Sequence, residues 1–318
     1  MSLDIFVPYW GDPEMLRETV RSVLSQNSPD WHLTVIDDAY PDESVPAYFA
    51  EITDARVTYV RNQTNQGITE NYRSCVALAT RDVVVILGCD DVLLPNYVDV
   101  VLAAHRRVPS AAVVQPGVRI IDERGEVVRT LADSVKKRRK MARTSVPLLV
   151  GGEDLAVSLL RGDWLYWPSL AFRRDVLVAT PFRDGMPIIQ DLALVIDIVA
   201  AGGSLLVEPT ICFHYRRHKA SASAEKALDG SRFVGERAYF DLAASQARAR
   251  GWRRAERAAR LHPTSRLHAL TLLPAALLAG RSGAARTLLR HVLVPGTGSV
   301  RRFDRTPHGA DVGAPRPR

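Results

Sequence analysis

Arg81-Asp82-Val83-Val84-Val85-Ile86-Leu87-Gly88-Cys89-Asp90-Asp91-Val92-Leu93-Leu94-Pro95 decides how this chain of 318 residues is read. Its five consecutive apolar residues, three of them valine, predict a strand buried on both faces, as in a parallel sheet. The strand runs straight into two adjacent carboxylates, which repel each other unless water or a cation lies beside them. Open α/β sheets bind ligands at the carboxyl ends of their strands. Oxygen ligands of this kind suit Mg²⁺ or Mn²⁺, which in turn hold phosphate oxygens. A plain Asp-Asp turn with Pro95 opening a helix is the structural alternative.

The preceding residues give the strand its neighbours. Leu3 to Val7 reads as a strand stopped by Pro8. Asp12 is an N-cap with Pro13 at the first helical position, and Leu16, Val20, Val23 and Leu24 form one apolar stripe. Leu33 to Ile36 is a strand ending in Asp37-Asp38, Val57 to Val60 is another, and Asn65-Gln66-Gly67 opens a helix. Such alternation predicts an open, largely parallel α/β sheet. Pro8-Tyr9, Asp37-Asp38, Asn62 to Asn65 and Asp90-Asp91 each follow a strand. In a parallel sheet those ends share one edge, so the four clusters converge on one ligand.

Farther along, helices are expected from Pro95 to about Arg107 and from Glu153 to Leu160, and strands at 112–114 and 118–121. Lys136 to Lys140 is a basic run, either a solvated loop or a lip for an anionic acceptor or lipid. Trp164 and Trp167 lie in an aromatic loop that is either core or a platform for a sugar face. Gln190-Asp191 begins a helix closed by Gly202-Gly203, with Asp191 in the first turn, where a carboxylate is favoured. Strands at 205–207 and 211–213 lead into His214-Tyr215-Arg216-Arg217-His218.

A formal charge of +7 suggests anionic partners, but the excess lies at 136–143 and after about residue 248. A general nucleic-acid coat is therefore a poor fit, and no nucleic acid is expected. Cys75, Cys89 and Cys212 make neither a disulfide framework nor a zinc pattern. No secretory signal or run of ~20 apolar residues is visible, so a cytoplasmic location, at most peripheral to a membrane, is expected.

These residues resemble the glycosyltransferase family 2 enzymes of the GT-A fold, over roughly residues 3 to 223. The resemblance rests on Val7-Pro8-Tyr9, Ile36-Asp37-Asp38 with Pro41-Asp42, Asn65-x-Gly67, Leu87-Gly88-Cys89-Asp90-Asp91 with Pro95, Gln190-Asp191, and Tyr215 to His218 with Ser221 and Ser223. It implies a GT-A catalytic domain over 1–223, Rossmann-like with a mostly parallel sheet flanked by helices. A helical C-terminal appendage over 224–293 and a disordered tail over 294–318 would follow. Two positions depart from the family pattern. Gly88 stands where the first Asp of the metal motif would be, and Gln190 replaces the usual Glu.

The resemblance further implies an inverting, metal-dependent transfer from a UDP-, dTDP- or GDP-sugar to a glycan, lipid-linked or small-molecule acceptor. Asp191 would be the general base, and Asp90 would hold the Mg²⁺ or Mn²⁺, with His218 as a further ligand. Pro8, Tyr9, Asp37, Asp38, Asn65 and Asp91 would bind the nucleotide, Tyr9 by stacking. Arg216, Arg217 and His218 would meet the diphosphate, and Trp164 and Trp167 the acceptor. A zinc site on His214 and His218 lacks the neighbouring Glu of His-Glu-x-x-His.

From Asp229 to about His291 the pattern is helical and arginine-rich, with Leu267, Leu270, Leu273, Leu277 and Leu278 as an apolar stripe. That region either packs on the catalytic domain or rests on an anionic membrane surface. The rival from another class is a non-catalytic basic protein, binding membrane or nucleic acid on an inactive α/β scaffold. A nucleotidyltransferase, a dinucleotide enzyme or an S-adenosylmethionine enzyme would need a Gly-rich loop after the first strand, where Pro8-Tyr9-Trp10-Gly11 stands instead.

Overall fold

The computed structural model describes residues 1–128, 144–186, 188–217 and 230–295. The Lys136–Lys140 run, His218, Ser221, Ser223 and the tail beyond 295 lie outside the described residues.

The organising strand is β4 (Val83–Ile86). It pairs in parallel with β1 (Leu3–Tyr9), which pairs in parallel with β2 (Trp31–Asp37), itself parallel to β3 (Val57–Arg61). Side chains alternate across a strand, and the two faces fill two different cores. Val83, Val85 and Leu87 join Ile5, Val7, Leu33 and Val35 on one face. Val84 and Ile86 join Phe6 and Ile36 on the other. Burial of β4 on both faces is why its residues are uniformly apolar.

The first face is covered by α1 (Pro13–Leu24) and, after the short β5 (Val92–Leu93), by α4 (Tyr97–Arg107). Asp12 caps α1, its carboxylate accepting from the Glu14 amide at 2.8 Å, with Pro13 at the first position as its sequence predicts. Between β2 and β3 lies α2 (Ser44–Ala50), and α3 (Ile68–Leu78) leads into β4.

The second half interleaves antiparallel strands. The sheet order is β3-β2-β1-β4-β8-β6-β9-β5, with β6 (Ala111–Ile121), β8 (Ala171–Arg173) and β9 (Ser204–Arg216); β7 (Leu148–Gly151) pairs β9. Among the described residues of this half, β6 and β9 pair in parallel, whereas β8 runs against β4 and β6. The other face carries α5 (Gly152–Arg161) and α7 (Gln190–Ala200), which follows the short α6 (Arg174–Ala179). The C-terminal region is helical: α8 (Ser231–Ala249), α9 (Arg253–Leu261), α10 (Pro263–Leu278) and α11 (Ser282–Leu293). Tyr239, Phe240 and Ala243 of α8 extend the α5–α7 core, so the appendage packs on the sheet domain.

Two strands run on where their sequences predict a stop. Pro8 stays in β1 opposite Ile36, because proline fits extended backbone and lacks only its N–H. Pro209 is likewise carried inside β9. Register shifts at Gln115 and Gly117 of β6 absorb the irregularity. Gly117 permits this close approach, since a Cβ there would lie 2.6 Å from the Pro209 carbonyl oxygen.

Candidate active site

Since β1, β2 and β4 are parallel, the chain leaves them on one edge. Asp37 and Asp38, at the end of β2, are both buried. Asp37 Oδ1 accepts from the Tyr40 amide at 2.8 Å, and Oδ2 accepts from the Tyr59 hydroxyl. Burial, that hydrogen bond and the Asp37 charge all push the Tyr59 hydroxyl up. Asp38 holds the loop after β3. Its Oδ1 accepts from Asn62 Nδ2 and the Gln66 amide, both at 2.8 Å, and its Oδ2 from the Gly67 amide at 2.9 Å. Asn65 is left exposed on that loop. Gly67 then turns into α3 with φ +83°, a conformation costly for other residues.

Stacking of a base on Tyr9 finds no ring face here. With the strand continued to residue 9, the ring points into the α1 side of the core at 0% exposure, its hydroxyl donating to the Gly11 carbonyl at 2.8 Å. Pro8 is also buried. Trp10 is the accessible ring, 44% exposed and edge-on to Tyr40 at 5.3 Å. Its signal in the sequence was a large aromatic one residue past a strand end.

The turn after β4 is clamped from several sides. Asp91 is buried; its Oδ1 accepts from the Arg216 amide at 2.8 Å, and its carbonyl accepts from Thr19 Oγ1 at 2.8 Å. Its Oδ2 is buried without a hydrogen-bond partner. Burial, with the Asp90 charge second, holds the Asp91 carboxyl well above the usual carboxylate range. Asp90, beside it, is partly exposed. A Cβ built on Gly88 would lie 2.5 Å from Asp91 Oδ2 and 3.0 Å from Asp90 Oδ1. The glycine is the space in which this carboxylate pair sits.

Arg216 differs from the expected phosphate ligand. As the last residue of β9 it is buried, with Nε donating to the Asp90 carbonyl at 2.7 Å and Nη2 to Glu18 Oε2 at 2.6 Å. Nη1 donates to the Asp122 carbonyl at 3.1 Å. Its donors are spent inside the protein. Arg217 is partly exposed, with its guanidinium 5.6 Å from the Tyr215 ring centre.

Asp191 begins α7, its Oδ1 accepting from the Leu192 amide at 2.7 Å. Gln190 is buried, and its Oε1 accepts from Thr69 Oγ1 at 2.9 Å, joining α7 to the first turn of α3. Tyr215 relates the separate acids to one another. Burial pushes its hydroxyl up most, and the charges of Asp91, Asp90 and Asp191 add to it. Tyr72 is raised by burial and then by Asp191. All three acids therefore lie within electrostatic reach of one tyrosine.

Trp164 and Trp167 are core residues rather than an open platform. Trp164 Nε1 donates to Ser158 Oγ at 3.0 Å, and Trp167 packs between Tyr72 and Phe172. Gln115 draws the loop inward, accepting from the Tyr166 amide at 3.0 Å and donating to Ser169 Oγ at 2.9 Å.

Among the described residues no three His, Cys, Asp or Glu side chains form a metal-binding group. The carboxylate of Asp90 and the buried Oδ2 of Asp91 lie side by side at this turn. Such a set suits Mg²⁺ or Mn²⁺, which bind through one or two carboxylates, waters and substrate phosphates. It does not suit zinc; His214 sits in β9 opposite Val92, its pKa lowered by burial.

Residues 4–161 match the family model described as glycosyl transferase family 2. A protein of Escherichia coli (strain K12) named as the colanic acid biosynthesis glycosyl transferase WcaA is 26% identical over 111 residues, 35% of this chain and 40% of that protein. EpsE of Bacillus subtilis (strain 168), named as a glycosyltransferase, is 28% identical over 131 residues, 40% of this chain and 47% of that one. The matches span less than half the length of either relative. In fold, the chain is similar to the crystal structure of S. aureus TarS 1-349 in complex with UDP-GlcNAc. The TM-score is 0.60 at 12% identity, covering 92% of this chain and 90% of that one. The complex of the same protein with UDP gives a TM-score of 0.55 at 11% identity, with the same coverage. The common architecture is the GT-A type.

Proposed function

Because the chain belongs to glycosyl transferase family 2, we propose that it moves a sugar from a nucleotide-diphosphate sugar to an acceptor hydroxyl, with inversion at the anomeric carbon. The observation that carries this reading is the Asp90-Asp91 turn at the carboxyl end of β4, held by the Arg216 amide on Asp91 Oδ1 at 2.8 Å and by Arg216 Nε on the Asp90 carbonyl at 2.7 Å. The charges of Asp90 and Asp191, which both act on the Tyr215 hydroxyl, support it. Asp90 and Asp191 come from distant parts of the chain, and the carboxyl ends of parallel strands are where open α/β sheets bind ligands.

Asp191 is the general base in this reading. The acceptor oxygen attacks the anomeric carbon and its proton passes to the Asp191 carboxylate. The bond from that carbon to the diphosphate oxygen breaks, and the nucleoside diphosphate departs with the electron pair. Base assistance of this kind contributes ~10²–10⁴ in rate. One displacement with one base inverts the configuration.

Asp90 would hold a Mg²⁺ or Mn²⁺ ion, which when bound neutralises charge on the leaving diphosphate. Asp91, buried beneath, and Arg216, clamping the Asp90 carbonyl, fix the position of that carboxylate. Trp10 offers its face to the base, and Asn65 is presented by the loop that Asp38 organises. Asp37 and Asp38 act by shaping the nucleotide site from within. Arg217, partly exposed beside Tyr215, would meet the diphosphate.

UDP and UDP-GlcNAc are bound by a protein of the same fold, so UDP-sugars head the donor panel, with dTDP- and GDP-sugars after them. Incubation with the panel and Mn²⁺ should raise the melting temperature with at least one donor and release nucleoside diphosphate slowly by hydrolysis. A flat response to every donor, with and without metal, would sink the proposal.

A further inference from the structure

Helix α10 carries large apolar side chains on its outer face as well as its inner one. Its inner side and that of α11 meet through small residues, Ala269, Ala276 and Ala285, with Leu288 and Phe233 of α8. Leu272 and Leu273 pack against that cluster, while the remaining leucines face outward: Leu267 is 60%, Leu277 62% and Leu278 91% exposed, with Leu270 on the same side. Leu267, Leu270, Pro274 and Leu278 recur at i, i+3, i+7 and i+11, which aligns them along one face about 17 Å long. Leu289 and Leu293 of α11 are also exposed, alternating with Arg286 and Arg290 at helical spacing. A helix that leaves a face of large apolar side chains exposed marks an interaction surface. Among the described residues nothing covers this outer face.

The charge around the face identifies what does cover it. From Arg257 to Phe303 there are eight arginines and neither Asp nor Glu. Arg281, Arg286 and Arg290 are exposed and make no ion pair among the described residues. A two-fold contact with a second copy would set these arginines against themselves. Residues 296–318 carry five arginines against two aspartates and few large apolar side chains, a poor cover for a cationic leucine face. No helix among the described residues is long and apolar enough to cross a membrane.

We propose that the α10–α11 hairpin docks on an anionic phospholipid surface, its leucines entering the headgroup boundary and Arg281, Arg286 and Arg290 meeting lipid phosphates. The docking stands apart from the transferase reading and holds or fails without it.

Flotation of the full chain with phosphatidylglycerol-containing vesicles, at low salt, tests it. Binding is expected to anionic vesicles and to be about tenfold or more weaker with phosphatidylcholine alone. The double variant Leu277→Asp/Leu278→Asp should abolish binding while keeping its circular dichroism and melting temperature, since both side chains are exposed. Arg281→Gln/Arg286→Gln/Arg290→Gln should weaken it about a hundredfold. Leu78→Asp, on an exposed leucine of α3, should leave it unchanged. Failure to float with anionic vesicles overturns the proposal, as does an oligomer that the Leu277→Asp/Leu278→Asp variant dissolves without affecting flotation.

Discussion

The backbone amide of Arg216 donates to Asp91 Oδ1 at 2.8 Å, joining residues 125 apart in sequence. The same arginine reaches back to the Asp90 carbonyl through Nε. The end of β9 therefore sets the turn after β4, and an acid placed by one half of the chain is held still by the other. Arg216→Lys retains the amide contact but cannot reproduce the planar fork. It should lower stability by about 2–4 kcal/mol in denaturant unfolding. Stabilisation by nucleoside diphosphate with Mn²⁺ should shrink with it. Full retention of both would show that the clamp is dispensable.

Asp91 gives a pH dependence with a definite sign. Its folded pKa lies above its unfolded value because the charged form is buried. The stability it contributes is fully present below about pH 4, the unfolded value, and is lost as pH rises through the raised folded value. Asp91→Asn keeps an oxygen for the Arg216 amide and carries no charge. In metal-free buffer it should melt higher than wild type near neutral pH, with the gap closing towards pH 4. An equal gap at all pH values would contradict burial of the charge.

Gly88 is predicted by geometry to tolerate nothing larger. Gly88→Ala places a methyl 2.5 Å from Asp91 Oδ2, and the carboxylates must move. Destabilisation of about 1–3 kcal/mol is expected, together with loss of donor hydrolysis. Gly88→Asp, which writes the family's missing acid back in, should be worse rather than better. Improved metal affinity in that variant would refute the packing explanation.

Asp38 holds two backbone amides and one side-chain amide, so Asp38→Ala leaves donors without acceptors. Hydrogen exchange at Gln66 and Gly67 should speed up by about tenfold or more, while β1 and β4 exchange as before. Unchanged exchange at those amides would mean the loop is held by something else.

Much of this arrangement was legible in the sequence, for physical reasons. Val83 to Leu87 is β-branched and apolar without a break, and only a strand buried on both sides needs that. Asp12-Pro13 and Gly67 mark helix starts by local chemistry alone. Strand β8 was not legible, because three residues inserted antiparallel between β4 and β6 carry no periodicity. Helix α2 is short and contains Pro46. Arg216, Trp164 and Trp167 look from sequence like ligand-facing groups, since burial of a guanidinium or an indole is a tertiary fact. Tyr9 and Trp10 exchange roles for a related reason. Two more residues of β1 turn the tyrosine into the core and leave the tryptophan outside.

The most direct measurement is single-turnover release of nucleoside diphosphate from the donor found in the panel, comparing wild type with Asp191→Asn and Asp90→Asn. Both variants should fold as wild type. Asp191→Asn should react ~10²–10⁴ slower while still binding donor. Asp90→Asn should lose the dependence of the rate on Mn²⁺. Wild-type rates in both variants would contradict the assignment of this edge of the sheet as the catalytic centre.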